Sequence, residues 1–232
     1  MTSWMQETNS SILPPSVKAQ TTYGFDLADQ LSQIVHVDHT GTMFAQFDYP
    51  SYDNVGNRKA LDITRPAATL NIGYGYNNIY ELTSVTGSQT HSYQYDKAGN
   101  RTNVDTVVYQ PNAVNQYTQV GSQAYQYSDS GNLTSDGVNT YTYDEENRLS
   151  SAVGAQQSAY SYDGLNRRVS KTVNGVTTYF IYDGDREIEE RDAAGALIAD
   201  YVYGENIDEV LSMTRGGSTY FYYYDGLCNA PY

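Results

Sequence analysis

Several stretches of this chain place side chains close enough to do chemistry. Asp144-Glu145-Glu146 and Glu187-Ile188-Glu189-Glu190 each gather carboxylates, and a flanking pair of carboxyl groups is what glycoside hydrolysis uses. His36-Val37-Asp38-His39 offers imidazole and carboxylate donors of the kind a metal takes, with His91 the remaining histidine that could join them. Asp183-Gly184-Asp185 begins like a calcium loop. Each pattern stops short. A catalytic pair is normally unique in a chain, whereas the equivalents of Asp144 recur from end to end. The Asp183 stretch lacks the later acidic ligands and the bidentate Glu of a calcium loop. No G-x-S-x-G elbow is present, and Gly73-Tyr74-Gly75 has no phosphate-loop continuation. Cys228, the one cysteine, has no evident base partner and no disulfide partner. The residue pattern therefore predicts no catalytic, cofactor-binding or metal site.

What does recur is a phrase. It reads Tyr93-x-Tyr95-Asp96-x-x-Gly99-Asn100-Arg101, then Tyr141-x-Tyr143-Asp144-x-x-Asn147-Arg148, then Tyr160-x-Tyr162-Asp163-x-x-Asn166-Arg167. A shorter form ends at Tyr182-Asp183. Aligned on the second aromatic, the copies fall at Phe25, Tyr52, Tyr76, Tyr95, Tyr127, Tyr143, Tyr162, Tyr182, Tyr203 and Tyr224. Toward the C-terminus the spacing settles near twenty residues (about one supersecondary unit). The long gap before Tyr127 is expected to hide a degenerate copy around Tyr117.

The column after the aromatic is nearly all Asp, Asn or Ser, side chains that accept backbone N–H bonds and open a turn. Three positions further on stand Asp29, Gly56, Tyr80, Gly99, Gly131, Asn147, Asn166 and Arg186. Most of these are residues that tolerate positive φ. A turn closed by a left-handed residue is a common hairpin loop. The two tyrosines are two residues apart and share one strand face. Each unit is thus expected to be a β-hairpin, and the series a ribbon of hairpins with tyrosines stacked across strands. Glu187–Ala199 is the nearest rival for a helix, but Gly195 and the turn signal before it predict strand, turn, strand.

Composition agrees. The chain has 25 Tyr against 5 Phe and 1 Trp, which suits half-wet β faces. The formal net charge of -14, with no Lys/Arg run, opposes a nucleic-acid partner. No apolar stretch reaches membrane-spanning length, and Met1–Gln20 has no signal-peptide pattern, so membrane insertion is not expected.

The phrase resembles the YD-repeat, or Rhs-repeat, family. The resemblance runs from about Tyr23 onward, and the stretch from Tyr162 to Met213 is similar to the lead-in to the Rhs repeat-associated core. It implies an all-β fold, a curved, spiralling β-ribbon forming an open fragment of an Rhs-type shell. The expected division is a poorly ordered segment over 1–20, degenerate repeats over 21–161, regular repeats over 162–227, and a divergent tail over 228–232. It further implies a non-catalytic scaffold whose partners are other Rhs-repeat segments or an encapsulated C-terminal toxin. Family members are typically secreted or at the cell envelope. The closing core block and its aspartyl autoprotease residues do not follow "YYYDGLCNAPY", which suggests a truncated shell piece. A carbohydrate-binding surface using the tyrosine face is the alternative function, and open sheet edges make self-association a further expectation.

Overall fold

A computed structural model describes residues 19–225. Poor order in the N-terminal segment and the role of Cys228 concern residues outside that range, apart from Ala19 and Gln20. Two compact units divide the described chain: residues 19–107 with 223–225, and residues 108–222.

The first unit contains β1 (Gln20–Phe25), β2 (Leu31–Val37), β3 (Met43–Asp48), β4 (Ala60–Arg65), β5 (Ala68–Tyr76), β6 (Leu82–Gly87), β7 (His91–Tyr95) and β8 (Arg101–Val104). Then come β9 (Val107–Pro111), β10 (Tyr117–Val120), β11 (Gln123–Ala124), β12 (Gln126–Tyr127), β13 (Leu133–Ser135), β14 (Thr140–Tyr143) and β15 (Leu149–Val153). The series ends with β16 (Gln157–Tyr162), β17 (Arg168–Val173), β18 (Val176–Asp183), β19 (Arg186–Asp192), β20 (Leu197–Tyr203), β21 (Val210–Arg215) and β22 (Ser218–Phe221). The described residues hold no helix. All pairings are antiparallel, in two open sheets whose strand order is the sequence order, β1–β11 and β12–β22. Glu187–Ala199 is strand, turn and strand, as its glycine predicts.

The core differs between the units. In the first, Ile34, Ala45, Phe47, Tyr49, Leu61, Ile72 and Val85 form one buried apolar cluster. Register explains it: Ile34 lies opposite Phe47, Phe47 opposite Ile63, and Leu61 opposite Ile72, so one face of β2–β5 is aliphatic and aromatic. In the second, the buried residues are Phe180, Ala199, Glu190 and Ser212. Phe180, Glu190, Ala199 and Arg215 form one row across β18–β21. That face buries charge as well as carbon.

Ten loops among the described residues share one hydrogen-bond pattern, opened by Asp26, Asp38, Asp53, Asn77, Asp96, Asn112, Ser128, Asp144, Asp163 and Asp192. In the Asp96 loop the Asp96 N–H donates to the Asn100 carbonyl at 2.9 Å and Gly99 N–H donates back to Asp96 O at 3.2 Å. Asp96 Oδ1 accepts from Ala98 N–H at 2.8 Å and Asn100 N–H at 2.9 Å. The residue three after the opener has positive φ in every case, from Asp29 (58°) to Gly56 (91°). Ladder registers slip by one residue beside these loops, as between Thr142 and Tyr143 and between Ser161 and Tyr162, which is the bulge such loops bring.

Three details depart from the sequence reading. The degenerate unit is not centred on Tyr117: its loop runs from Asn112 to Gln116, and Pro111 occupies the aromatic column. Arg186 is not left-handed, because β18 and β19 meet in a two-residue turn, Gly184-Asp185, in which Gly184 has the positive φ of 58°. Tyr80 does take the left-handed position, at φ 67°. There the Asn77 cap, accepting from Ile79 and Glu81 N–H at 3.0 Å each, holds a residue that rarely adopts it.

Candidate functional site

The repeated residues converge on the loop end of each hairpin, where they fasten one hairpin to the next in two ways. The first uses the second tyrosine of the phrase. Its ring lies over the preceding hairpin, and its hydroxyl donates to the main-chain carbonyl just past that hairpin's loop. Tyr52 reaches Leu31 O (2.6 Å), Tyr76 reaches Arg58 O (2.9 Å) and Tyr95 reaches Leu82 O (2.8 Å). In the second unit Tyr127 reaches Tyr117 O (3.0 Å), Tyr162 reaches Leu149 O (2.9 Å), Tyr182 reaches Arg168 O (2.9 Å) and Tyr203 reaches Glu187 O (2.7 Å). These carbonyls sit where the bulge interrupts the ladder, so they need a donor from elsewhere. Phenylalanine fills the same volume without supplying one. The excess of Tyr over Phe is the sequence trace of this bond.

The second fastening runs along the loops. At five loops the side chain that closes the turn reaches forward to the next loop. Gln116 donates to Gly131 O at 3.5 Å, and Asn132 donates to Asn147 Oδ1 at 2.7 Å. Arg148 donates to Asn166 Oδ1 at 3.0 Å and to Asp163 O at 3.2 Å, Arg167 to Gly184 O, and Arg186 to Asn206 O at 3.1 Å. The same arginines stand over the next anchoring ring: Arg148 over Tyr162 (5.1 Å), Arg167 over Tyr182 (5.0 Å) and Arg186 over Tyr203 (5.3 Å).

The remaining residues of the phrase have equally local partners. Asp144 Oδ2 pairs with Arg148 and Asp163 Oδ2 with Arg167, each at 2.7 Å. Both carboxyls lie below the usual range, chiefly because the Arg148 and Arg167 backbone N–H groups donate to them. Asp96 is also lowered, mainly by the Asn100 side chain. Asn147 and Asn166 have positive φ, 61° and 65°. Tyr93 packs against the core of the first unit and carries Arg101 at 5.1 Å. Tyr160 carries Arg168 at 5.9 Å. Tyr141 donates to Asp136 Oδ2 at 2.6 Å, which holds the Asp136 carboxyl low and pushes the phenol up. Tyr143 lies opposite Leu149 at the bulge, and Asp183 lies opposite Arg186 beside the two-residue turn.

Stacked tyrosine pairs between strands are uncommon. Among the described residues Tyr109 and Tyr117 pack edge to face at 5.3 Å, while the anchoring rings take cations and backbone partners instead.

The candidate chemistry has structural explanations. Asp38 opens a loop and caps Thr40 and Thr42 N–H at 2.8 and 3.0 Å. His36 is buried among aromatic rings. His91 pairs with Asp105 at 2.9 Å. Among the described residues no group of three or more His, Cys, Asp or Glu side chains is arranged to hold a metal. The Asp183 stretch is a hairpin turn. Glu190 accepts from Tyr201 at 2.5 Å and from Arg215 at 2.6 Å. Burial pulls its carboxyl up, but these two donors outweigh it and leave the group below its ordinary value. Burial and the neighbouring Glu190 push Glu187 up. Tyr201 and Arg215 thereby satisfy the Glu190 carboxylate inside the sheet face.

The tyrosine column passes over the loop at Asp38 and misplaces the one at Asn112, whose preceding residues are Val37 and Pro111, whereas the Asp192 loop, preceded by Arg191, is legible from its own turn signal. The opener and left-handed residue alone, Asp38…Gly41, Asn112…Asn115 and Asp192…Gly195, were the available signal.

Comparison with known proteins gives consistent matches. The family described as teneurin YD-shell matches residues 50–231. The chain is similar to the tRNA3(Ser)-specific nuclease WapA of Bacillus spizizenii and to the tRNA nuclease WapA of Bacillus subtilis. Each is 32% identical over 202 residues, covering 84% of this chain and 7% of the relative. The chain thus spans a small fraction of the length of these relatives. Among solved structures, the crystal structure of TcdB2-TccC3 is similar at 15% identity and a TM-score of 0.43, covering 81% of this chain and 15% of that one.

Proposed function

Because the chain belongs to the teneurin YD-shell family, we propose that it works as a non-catalytic wall segment whose hairpins surround or present another polypeptide. The observation that carries this reading is the recurrent fastening of hairpin to hairpin within each unit. The residues best suited to chemistry, the repeated Tyr, Asp, Asn and Arg, are engaged in turn caps, bulge carbonyls and loop-to-loop bonds. What such a series supplies is a surface of fixed pitch, since each unit is positioned by its neighbour. Nuclease activity of the WapA relatives is assigned, on this reading, to the parts this chain does not match.

The test uses that division. The purified chain incubated with tRNA is expected to produce no cleavage. A chimera of the Bacillus subtilis relative, with this chain in place of the matched segment, is expected to keep tRNA cleavage. Turnover by the isolated chain would overturn the non-catalytic reading, and a folded chimera without activity would show that the segment does more than hold geometry.

A further inference from the structure

The fastening pattern of the second unit leaves one guanidinium over. Arg148, Arg167, Arg191 and Arg215 each pair with a carboxylate, and Arg186 reaches the Asn206 carbonyl. Arg168 instead stands over the rings of Phe180 (4.8 Å) and Tyr160 (5.9 Å), and its buried Nε has no hydrogen-bond partner. The chain carries 27 acidic residues against 13 Lys and Arg, so a shortage of carboxylates does not explain this. Lys171 Nζ lies over the same Phe180 ring at 5.9 Å. We propose that Arg168, supported by Lys171, is the receptor for a carboxylate side chain of the polypeptide that this wall surrounds or presents.

The fold does not need this charge. Arg168 stands two residues beyond the left-handed Asn166, where its main-chain carbonyl accepts from the Tyr182 hydroxyl. Leucine holds the same place in three other repeats: Leu82 after Tyr80, Leu133 after Gly131 and Leu149 after Asn147. Leu82 and Leu149 offer their carbonyls to Tyr95 and Tyr162 in the same way. The structural duty of the position therefore belongs to its main chain. A dry N–H without an acceptor costs stability rather than adding it. A guanidinium backed by a ring keeps its terminal nitrogens for a bidentate carboxylate. The first unit, taken by itself, repeats the arrangement. Arg58, two residues beyond Gly56, stands over Tyr49 at 4.1 Å with its Nε again buried and unpartnered.

Charge selects the occupant. Half-buried Glu187 feels both cations through space: burial and Glu190 push its carboxyl up, while Arg168 and Lys171 pull it down. Glu190 is answered by Arg215. Two cations against Glu187 leave one positive charge, which suits a single carboxylate better than a phosphate dianion. The inference rests on the wall reading above, which supplies a polypeptide as the source of that carboxylate. The formal charge of -14 repels an acidic segment at long range, but physiological salt confines this repulsion to about 8 Å.

The test titrates the full chain, at physiological ionic strength, with a capped peptide of alternating Glu and Gly. The matching Gln–Gly peptide is the control. In NMR of the arginine side chains, the Arg168 Nε–H signal is expected to shift with the Glu peptide and stay still with the Gln peptide. Arg168→Leu, the residue of the sibling repeats, is expected to keep the circular dichroism spectrum and bind about tenfold more weakly or worse. Arg191→Gln, which removes a cation already paired with Glu189, is expected to bind within about twofold of the unaltered chain. A still Arg168 signal, equal affinity in Arg168→Leu, the same loss in Arg191→Gln, or tighter binding of inorganic phosphate would each overturn the proposal. An unfolded Arg168→Leu would overturn it too, since the charge would then serve the fold. Any of these outcomes leaves the wall reading standing, because tRNA cleavage by the chimera is measured separately.

Discussion

Asn147 shows how much one residue position carries. Its φ of 61° asks for a residue at ease in the left-handed region, and its Oδ1 takes the bond from Asn132. Asn147→Val places a β-branched side chain there and is expected to cost about 1–2 kcal/mol. Asn147→Gly relieves the backbone but removes the loop-to-loop acceptor, so a loss of about 0.5–1 kcal/mol is expected. Denaturant titration of both variants checks the ranking, and equal losses would refute the turn assignment. Tyr162 tests the other fastening. Tyr162→Phe keeps the ring under Arg148 and strips the donor from Leu149 O, with an expected loss of about 1–2 kcal/mol. Tyr179→Phe, at an exposed ring with 45% of its surface accessible, is expected to stay within about 0.5 kcal/mol.

At the level of the element, the hairpin is legible in the sequence because its loop chemistry is local. An Asx cap and a left-handed residue three positions later act within five residues, whatever the chain does elsewhere. That is why Tyr95-Asp96…Gly99 predicts its turn correctly. Pro111-Asn112…Asn115 escapes the tyrosine pattern because tyrosine is a fastening residue, while the turn itself is set by Asn112 and Asn115. Contacts between hairpins are less legible, since the donor of one unit meets a carbonyl 10 to 21 positions away. One prediction belongs here. If Arg148 acts by reaching the next loop, Arg148→Ala and Asn166→Ala share one interaction. The double variant is expected to lose less stability than the sum of the singles in a thermal-melt double-mutant cycle. Strict additivity would mean the loops are fastened independently.

For the whole molecule, the repeated carboxyl caps set an acid limit. Asp38, Asp53, Asp96, Asp144 and Asp163 all lie below their ordinary 3.8, held there by donors within their own loops. Their contribution is present above that value and is lost as pH falls through the lower folded values. Melting followed by circular dichroism is expected to show a steep fall in Tm once pH drops below about 4. An unchanged Tm at about pH 3 would mean that the caps contribute little. By itself the sequence determined the all-β class, the hairpin as unit, the turn positions of the three full copies of the phrase at Tyr93, Tyr141 and Tyr160, and family resemblance, because each depends on residue type at short, fixed spacing. Only the tertiary structure decided which carbonyl each tyrosine hydroxyl meets, that one unit buries carbon while the other buries Glu190 with its donors, and that Tyr223 lies over His36. Those are meetings between residues far apart in the chain, fixed by strand register and by where the sheet brings its faces together, and no local spacing encodes them.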